Sequence, residues 1–195
     1  MKKLIFSVFV LTSVLVFVSC SDDDDNGDSV ESVVENPVEG DLSQLVINEF
    51  SASGNWVELH NQSDGEVDAL GLVLCLGPAT YVDIEQSIVI EGETTVPAGG
   101  FLVVNYNLTE GSGGLALYVD RSGFTNPDTI LDFVQYGDAG SVRESVAVEA
   151  GIWVEGDFVP NVGLESSSFA YDGEGNGSGD WSEALNPTVG AENGI

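Results

Sequence analysis

The sequence predicts an all-β protein, an immunoglobulin-like antiparallel β-sandwich, and three observations carry that expectation. Apolar residues come in short runs, most of them five to seven residues long and rich in Val, Ile, Leu and aromatics. Clusters of Gly, Asn, Asp and Pro separate the runs. None of them shows a 3.6-residue apolar period over ten or more residues. Short strands at such spacing, with turn signals between them, are the mark of a sandwich or barrel.

In chain order, residues 21–42 hold acids, Ser, Gly and Pro37 with only isolated Val and Leu, and read as a tether. With the residue before them they form a segment, 20–42, that reaches roughly 70 Å fully extended at about 3.3 Å per residue. The folded part is expected over 43–195. Its runs are Leu45–Phe50, Trp56–His60, Leu70–Leu76, Ile84–Ile90, Phe101–Asn105, Leu115–Val119, Ile130–Tyr136 and Val142–Val148, with a weaker one at Ser167–Tyr171. Trp56–His60 alternates, placing Val57 and Leu59 on one side and Glu58 and His60 on the other, wet side. Pro97–Gly100 and Asn126–Asp128 are expected turns. No internal repeat is visible.

The N-terminus carries Lys2 and Lys3, then an apolar run from Leu4 to Val18. A charged segment followed by an apolar one is the form of a secretory signal. As a membrane span it is short, since a crossing usually takes about 20 apolar residues. The run ends at Val16-Phe17-Val18-Ser19-Cys20, which resembles a lipobox. That resemblance implies cleavage after residue 19, with Cys20 lipidated on its thiol and acylated on its new amine. Several acyl chains exceed the two-signal threshold for stable anchoring. The alternative is an ordinary signal peptide followed by a chance cysteine. Ser21, Asp22, Asp23, Asp24 and Asp25 follow at once. They read either as a solvated spacer of like charges or as a signal resembling the one that sends some lipoproteins to the outer face of the outer membrane. The expected location is therefore the outer membrane, lipid-anchored and facing the cell exterior.

Both lysines leave with the signal, while all 33 acids lie after Cys20. The mature chain keeps Arg121 and Arg143 against those acids, a formal charge of −31. Such a surface rejects nucleic acid and anionic headgroups and favours divalent cations or basic partners. An apolar fraction of 43% argues for a folded core despite the charge. Once Cys20 is lipidated, Cys75 has no cysteine to pair with. In its apolar run it reads as a small buried hydrophobe.

The run Leu45-Val46-Ile47-Asn48-Glu49-Phe50 followed by Trp56-Val57-Glu58-Leu59-His60-Asn61 resembles the opening of the lamin tail domain. The likeness continues through Val67–Leu72, Val96–Val104, Gly113–Leu117 and Ile130–Tyr136. It closes on Asp180-Trp181 and Asn186-Pro187-Thr188-Val189-Gly190-Ala191-Glu192-Asn193, with the proline displaced. It spans roughly residues 44–193. Leu72 stands where that family usually has tryptophan, and 124–128 and 152–165 look like insertions. The resemblance implies an immunoglobulin-like sandwich and, since most members are non-catalytic modules, a binding or scaffolding role. Fold alone does not assign a function.

Catalytic signals are sparse. His60 is the single histidine, which excludes a multi-histidine metal site. No Gly-x-Ser-x-Gly elbow supports a triad through it. Carboxylate pairs carry no weight among 33 acids. One loop is more specific. Asp172, Glu174, Asn176, Ser178, Asp180 and Glu183 fall at positions 1, 3, 5, 7, 9 and 12 with glycine at 6, the ligand spacing of an EF-hand calcium loop. Against calcium stand Glu at position 3, Gly at position 8 and flanks that do not look helical. The loop also lies over the family's own Gly-rich approach to its last tryptophan. Trp56, Trp153, Trp181, Tyr81, Tyr106, Tyr118 and Tyr171 read as core, or as a sugar-stacking face if three lie exposed in a row. The expectation is a non-catalytic, lipid-anchored binding module for a protein or polysaccharide. The alternatives are a hydrolase or hydrolase accessory subunit acting on extracellular polymer, and an envelope protein whose charge calcium neutralises.

Overall fold

The computed structural model describes residues 38–77, 79–160 and 168–194. The expected signal at 1–19, Cys20 and Ser21–Asp25 lie outside the described residues. Those described all belong to one compact unit, Asn36–Ile195.

The strands are β1 (Leu45–Ser51), β2 (Trp56–Asn61), β3 (Val67–Asp68), β4 (Val73–Gly77), β5 (Thr80–Asp83), β6 (Val89–Gly92), β7 (Thr95–Val96), β8 (Phe101–Asn105), β9 (Gly113–Tyr118), β10 (Ile130–Tyr136), β11 (Ser168–Tyr171) and β12 (Trp181–Ala184). Among the described residues one α-helix, α1 (Glu144–Ala150), falls between β10 and β11 in chain order. A six-stranded sheet runs β12-β11-β1-β2-β8-β6 and a four-stranded one β10-β9-β4-β5, with β3 and β7 as a separate pair. Neighbouring strands are antiparallel throughout. This is the all-β sandwich that the short runs predict.

One core joins the sheets. Leu45, Ile47 and Phe50 of β1, Val57 and Leu59 of β2, and Leu102 and Val104 of β8 belong to the same apolar cluster as Cys75, Leu115, Leu117 and Phe133. The Phe50 ring lies 5.1 Å from that of Tyr136 on the opposite sheet. β1 keeps Leu45, Ile47 and Phe50 inward through a bulge, because the register steps from Ile47↔Leu59 to Glu49↔Glu58. Asn48 is the extra residue, and it and Glu49 are thereby turned to the outer face. α1 packs on β10, and most residues of β9 and β10 are buried.

Two elements differ from the sequence reading. Residues 142–148 were expected as a strand and form α1 instead. Val146, Ala147 and Ala150 share the face turned to the core, Glu144 favours the first turn, and Gly151 ends the helix at a φ of 77°. The Gly151 N–H then bonds to the Val148 carbonyl and the Ile152 N–H to that of Ala147, which satisfies the last turn. Val146 and Val148 imitate strand alternation over too short a stretch to show the helical period. Ile84–Ile90 is likewise no single strand. It begins as a 3₁₀ turn at Ile84–Gln86, closed by the Ser87 N–H on the Ile84 carbonyl at 3.0 Å, before β6 starts. Before β1, Gly40 and Glu66 exchange backbone bonds with each other's segment, so residues 38–40 lie against the loop after β2. Among the described residues, no helix is long and apolar enough to cross a membrane.

Candidate functional site

The outer face of the six-stranded sheet holds the site, and the segment after β12 builds it. Alternation along β2 does turn Glu58 and His60 outward, but the expected wet face is covered. Glu58 is fully buried and His60 half-buried. Residues 188–193 cross this face as a strap, and its first task is to meet two carboxylates. Thr188 donates its N–H to Glu49 Oε2 at 3.0 Å, and its hydroxyl lies within reach of Glu49 Oε2 and Asn193 Oδ1. Ser168 Oγ donates to the other Glu49 oxygen. Gly190 N–H donates to Glu58 Oε2 at 2.6 Å, and Asn48 Nδ2 to Glu58 Oε1 at 2.7 Å. Asn193 Nδ2 ties the strap down through the carbonyls of Asn48 and Tyr171.

Glu49 and Glu58 are register partners, and both are fully buried. Among the described residues no cation offsets them: Arg121 pairs with Asp83, and Arg143 donates to the Phe124 carbonyl. Burial pushes the Glu58 carboxyl up to about 7. Its hydrogen bonds from Asn48 and Gly190 pull the other way, and the Glu49 charge adds to the rise. All four oxygens of the pair accept hydrogen bonds beneath the strap. The two carboxylates are structural partners of the strap and present no open face to a substrate.

Beside the strap lies a surface pocket of about 240 Å³. Asn48 and His60 form its floor, Gln62, Asp172 and Glu192 its rim, and Tyr171 and Asn193 complete the wall. The His60 ring stacks on Phe101 with centroids 4.4 Å apart. Burial lowers the imidazole from its ordinary range, while the charge of Glu192 and an interaction with the Gly99 backbone oppose that. Asn48 is only 4% exposed, and its Nδ2 is spent on Glu58. Its Oδ1 accepts no hydrogen bond from any described residue. Asn48 lines the pocket, and this oxygen is left as an acceptor that solvent or a ligand can meet.

The loop with calcium-like spacing is used differently. Asp172 Oδ1 accepts the Glu174 N–H at 3.0 Å, and Asp180 Oδ2 accepts that of Gly177 at 2.8 Å. Ser178 donates to Asp157 through both N–H and Oγ, and Asn176 Nδ2 reaches the Gly151 carbonyl. Glu183 sits on β12 opposite Phe169, its Oε1 buried without a partner. Among the described residues, no group of three or more His, Cys, Asp or Glu is placed to hold a metal ion.

The remaining chemistry is internal. Asp132 accepts the Ile47 N–H at 2.6 Å and that of Phe133 at 2.7 Å, so a β10 carboxylate ties the two sheets together. It borders a void of about 10 Å³ with Trp153, Tyr171 and Trp181, room for a single water. Burial pushes this carboxyl up to about 7. Trp56, Trp153, Trp181, Tyr106 and Tyr118 are buried, so they serve the core and form no exposed stacking row. Cys75 is buried too, with its Sγ donating to the Gly77 carbonyl.

Sequence reasoning missed the pocket, whose residues come from four separate segments. The available signal was the family-like motifs themselves: Ile47–Glu49, Trp56–Glu58 and Thr188–Asn193 meet at the carboxylate pair beside it. No family model, curated protein or solved structure matches the chain.

Proposed function

We propose that this chain is a lipid-anchored, surface-displayed module of the lamin-tail type that binds a partner and catalyses no reaction. The observation that carries the reading is the pocket beside the strap, with Asn48 and His60 at its floor and an accessible rim of Gln62, Asp172 and Glu192. The meeting of the three family-like motifs at one place supports the lamin-tail kinship, since each supplies partners to the others. The buried, fully hydrogen-bonded state of Glu49 and Glu58 argues against their use in hydrolysis, where a carboxylate pair has to face the scissile bond. Cys20 and Ser21–Asp25 supply the anchor and the address in this reading, and the acidic segment after them holds the module off the membrane.

Two experiments test it. Replacing Cys20 with serine releases the protein from the membrane fraction, and a variant that still fractionates with membranes removes the anchor from the reading. A photo-crosslinking amino acid at Gln62, on the pocket rim, captures a discrete adduct on intact cells. The same group at exposed Val154 does not. Equal labelling from both positions sinks the binding role of the pocket.

A further inference from the structure

We infer that the pocket takes a primary ammonium or guanidinium group, the side chain of a lysine or arginine on a partner polypeptide. This deepens the reading above and rests on it. The pocket's unspent hydrogen-bonding capacity is mostly acceptor. Asn48 offers Oδ1 and no donor, because Nδ2 is held by Glu58. Asn193 spends its amide protons on the carbonyls of Asn48 and Tyr171. The Tyr171 hydroxyl donates outward to the Gly175 carbonyl at 2.8 Å. Asp172 and Glu192 add two carboxylates at the rim. Among the lining side chains, His60 and Gln62 bring the unspent donors.

A ligand complementary to this set gives several hydrogen bonds and asks for few, and it carries positive charge. Ammonium has three donors and no acceptor, and guanidinium five and none. A sugar hydroxyl needs donors and acceptors in equal measure, and an anion meets two carboxylates. The long-range field agrees. With 33 acids against four basic residues, the chain attracts cations from a distance. Both arginines of the folded unit are engaged elsewhere, on Asp83 and Phe124, so neither fills the pocket from within. A volume of about 240 Å³ lies below the 300 Å³ or so at which pockets for drug-sized molecules begin, and suits the end of one side chain.

The single histidine gives the test a clean reporter, because its ring lies in the pocket and its resonances need no assignment. The full-length chain in non-ionic detergent is titrated with N-acetyl-arginine amide, N-acetyl-lysine amide, the neutral N-acetyl-glutamine amide and a neutral oligosaccharide. The His60 resonances are followed at constant pH and ionic strength. The expected result is saturable movement with the two cationic amides at millimolar concentration and none with the glutamine amide. Glu192→Gln and Asp172→Asn each weaken that binding by about fivefold, as loss of one half-screened ion pair should. Both positions are exposed and both changes keep the side-chain shape, so folding is not at issue. Saturation by the oligosaccharide and not by the cations overturns the ligand class while leaving a binding pocket. Cation-induced movement of equal strength in both variants, or equal movement with the glutamine amide, places the effect elsewhere and overturns the proposal. No response to any of the four probes overturns the pocket reading itself.

Discussion

Replacing Glu58 with glutamine should make the protein more stable at neutral and mildly alkaline pH. Glu58 is fully buried on β2 beside Glu49, and its carboxyl is pushed from 4.5 up to about 7. In the folded state it therefore holds its proton more tightly than in the unfolded chain. Between about pH 4.5 and 7 the folded state carries more bound protons, so stability falls as pH rises through that window. The contribution is whole below 4.5 and gone above 7. At 1.36 kcal/mol per pH unit the displacement corresponds to roughly 3 kcal/mol, which solvent in the adjacent pocket screens to about 2 kcal/mol. Glutamine has the same shape and no proton to lose. Its oxygen can accept from Gly190 and its amide can donate to Asn48, whose own amide turns over to present Oδ1. Urea unfolding of both proteins at about pH 4 and pH 8 should show near-equal stability at the lower value and a gain of about 2 kcal/mol for the variant at the higher. Asp132 and the overall charge titrate in both proteins, so the difference between them isolates Glu58. A difference that is the same at both pH values, or a variant that is the less stable one at pH 8, refutes the reasoning.

Three other outcomes follow from the same packing. Asp132→Ala leaves the Ile47 N–H without its acceptor and should cost about 1–3 kcal/mol in urea unfolding. The loss should be greater at pH 5 than at pH 8, because the wild-type carboxyl, raised to about 7, destabilises the fold once ionised. Gly137→Ala should cost more than about 2 kcal/mol in the same assay, since a β-carbon there would lie 2.1 Å from the Gly111 carbonyl oxygen at a φ of 79°. Cys75 should react with a thiol reagent only as fast as the sandwich opens, so its labelling rate should rise in step with urea. Rapid labelling in native buffer contradicts its place in the core.

The sandwich was legible because its core strands are apolar runs of five to seven residues bounded by turn signals. Leu45–Phe50, Trp56–His60, Phe101–Asn105 and Ile130–Tyr136 all became strands within a residue or so of the expected limits. β3, β7 and β12 are two to four residues long, too short for a period to register. Helix α1 failed for a related reason. Seven residues hold fewer than two full turns, and Val146 and Val148 satisfy a strand pattern as well as a helical one. The pocket was illegible on different grounds. Alternation gives the parity of Glu58 and His60 correctly but says nothing of what lies above them. Their cover is contributed by Gly190, 132 residues away in sequence, from a strap with no periodicity of its own.

That strap also decides how the site can be studied. Asn193 ties the strap to β1 and β11 and at the same time walls the pocket, while Asn48 joins the buried Glu58 to the pocket floor. Substituting either asparagine disturbs the carboxylate pair and the pocket together, so lost binding there cannot be separated from lost packing. Glu192, Asp172 and Gln62 stand at exposed rim positions, and only Asp172 among them makes a hydrogen bond within its own loop, which asparagine preserves. Binding and stability should therefore part at the rim and move as one at the floor. A floor variant that lost binding with its unfolding curve unchanged would show that the strap and the pocket are less tightly joined than these hydrogen bonds require.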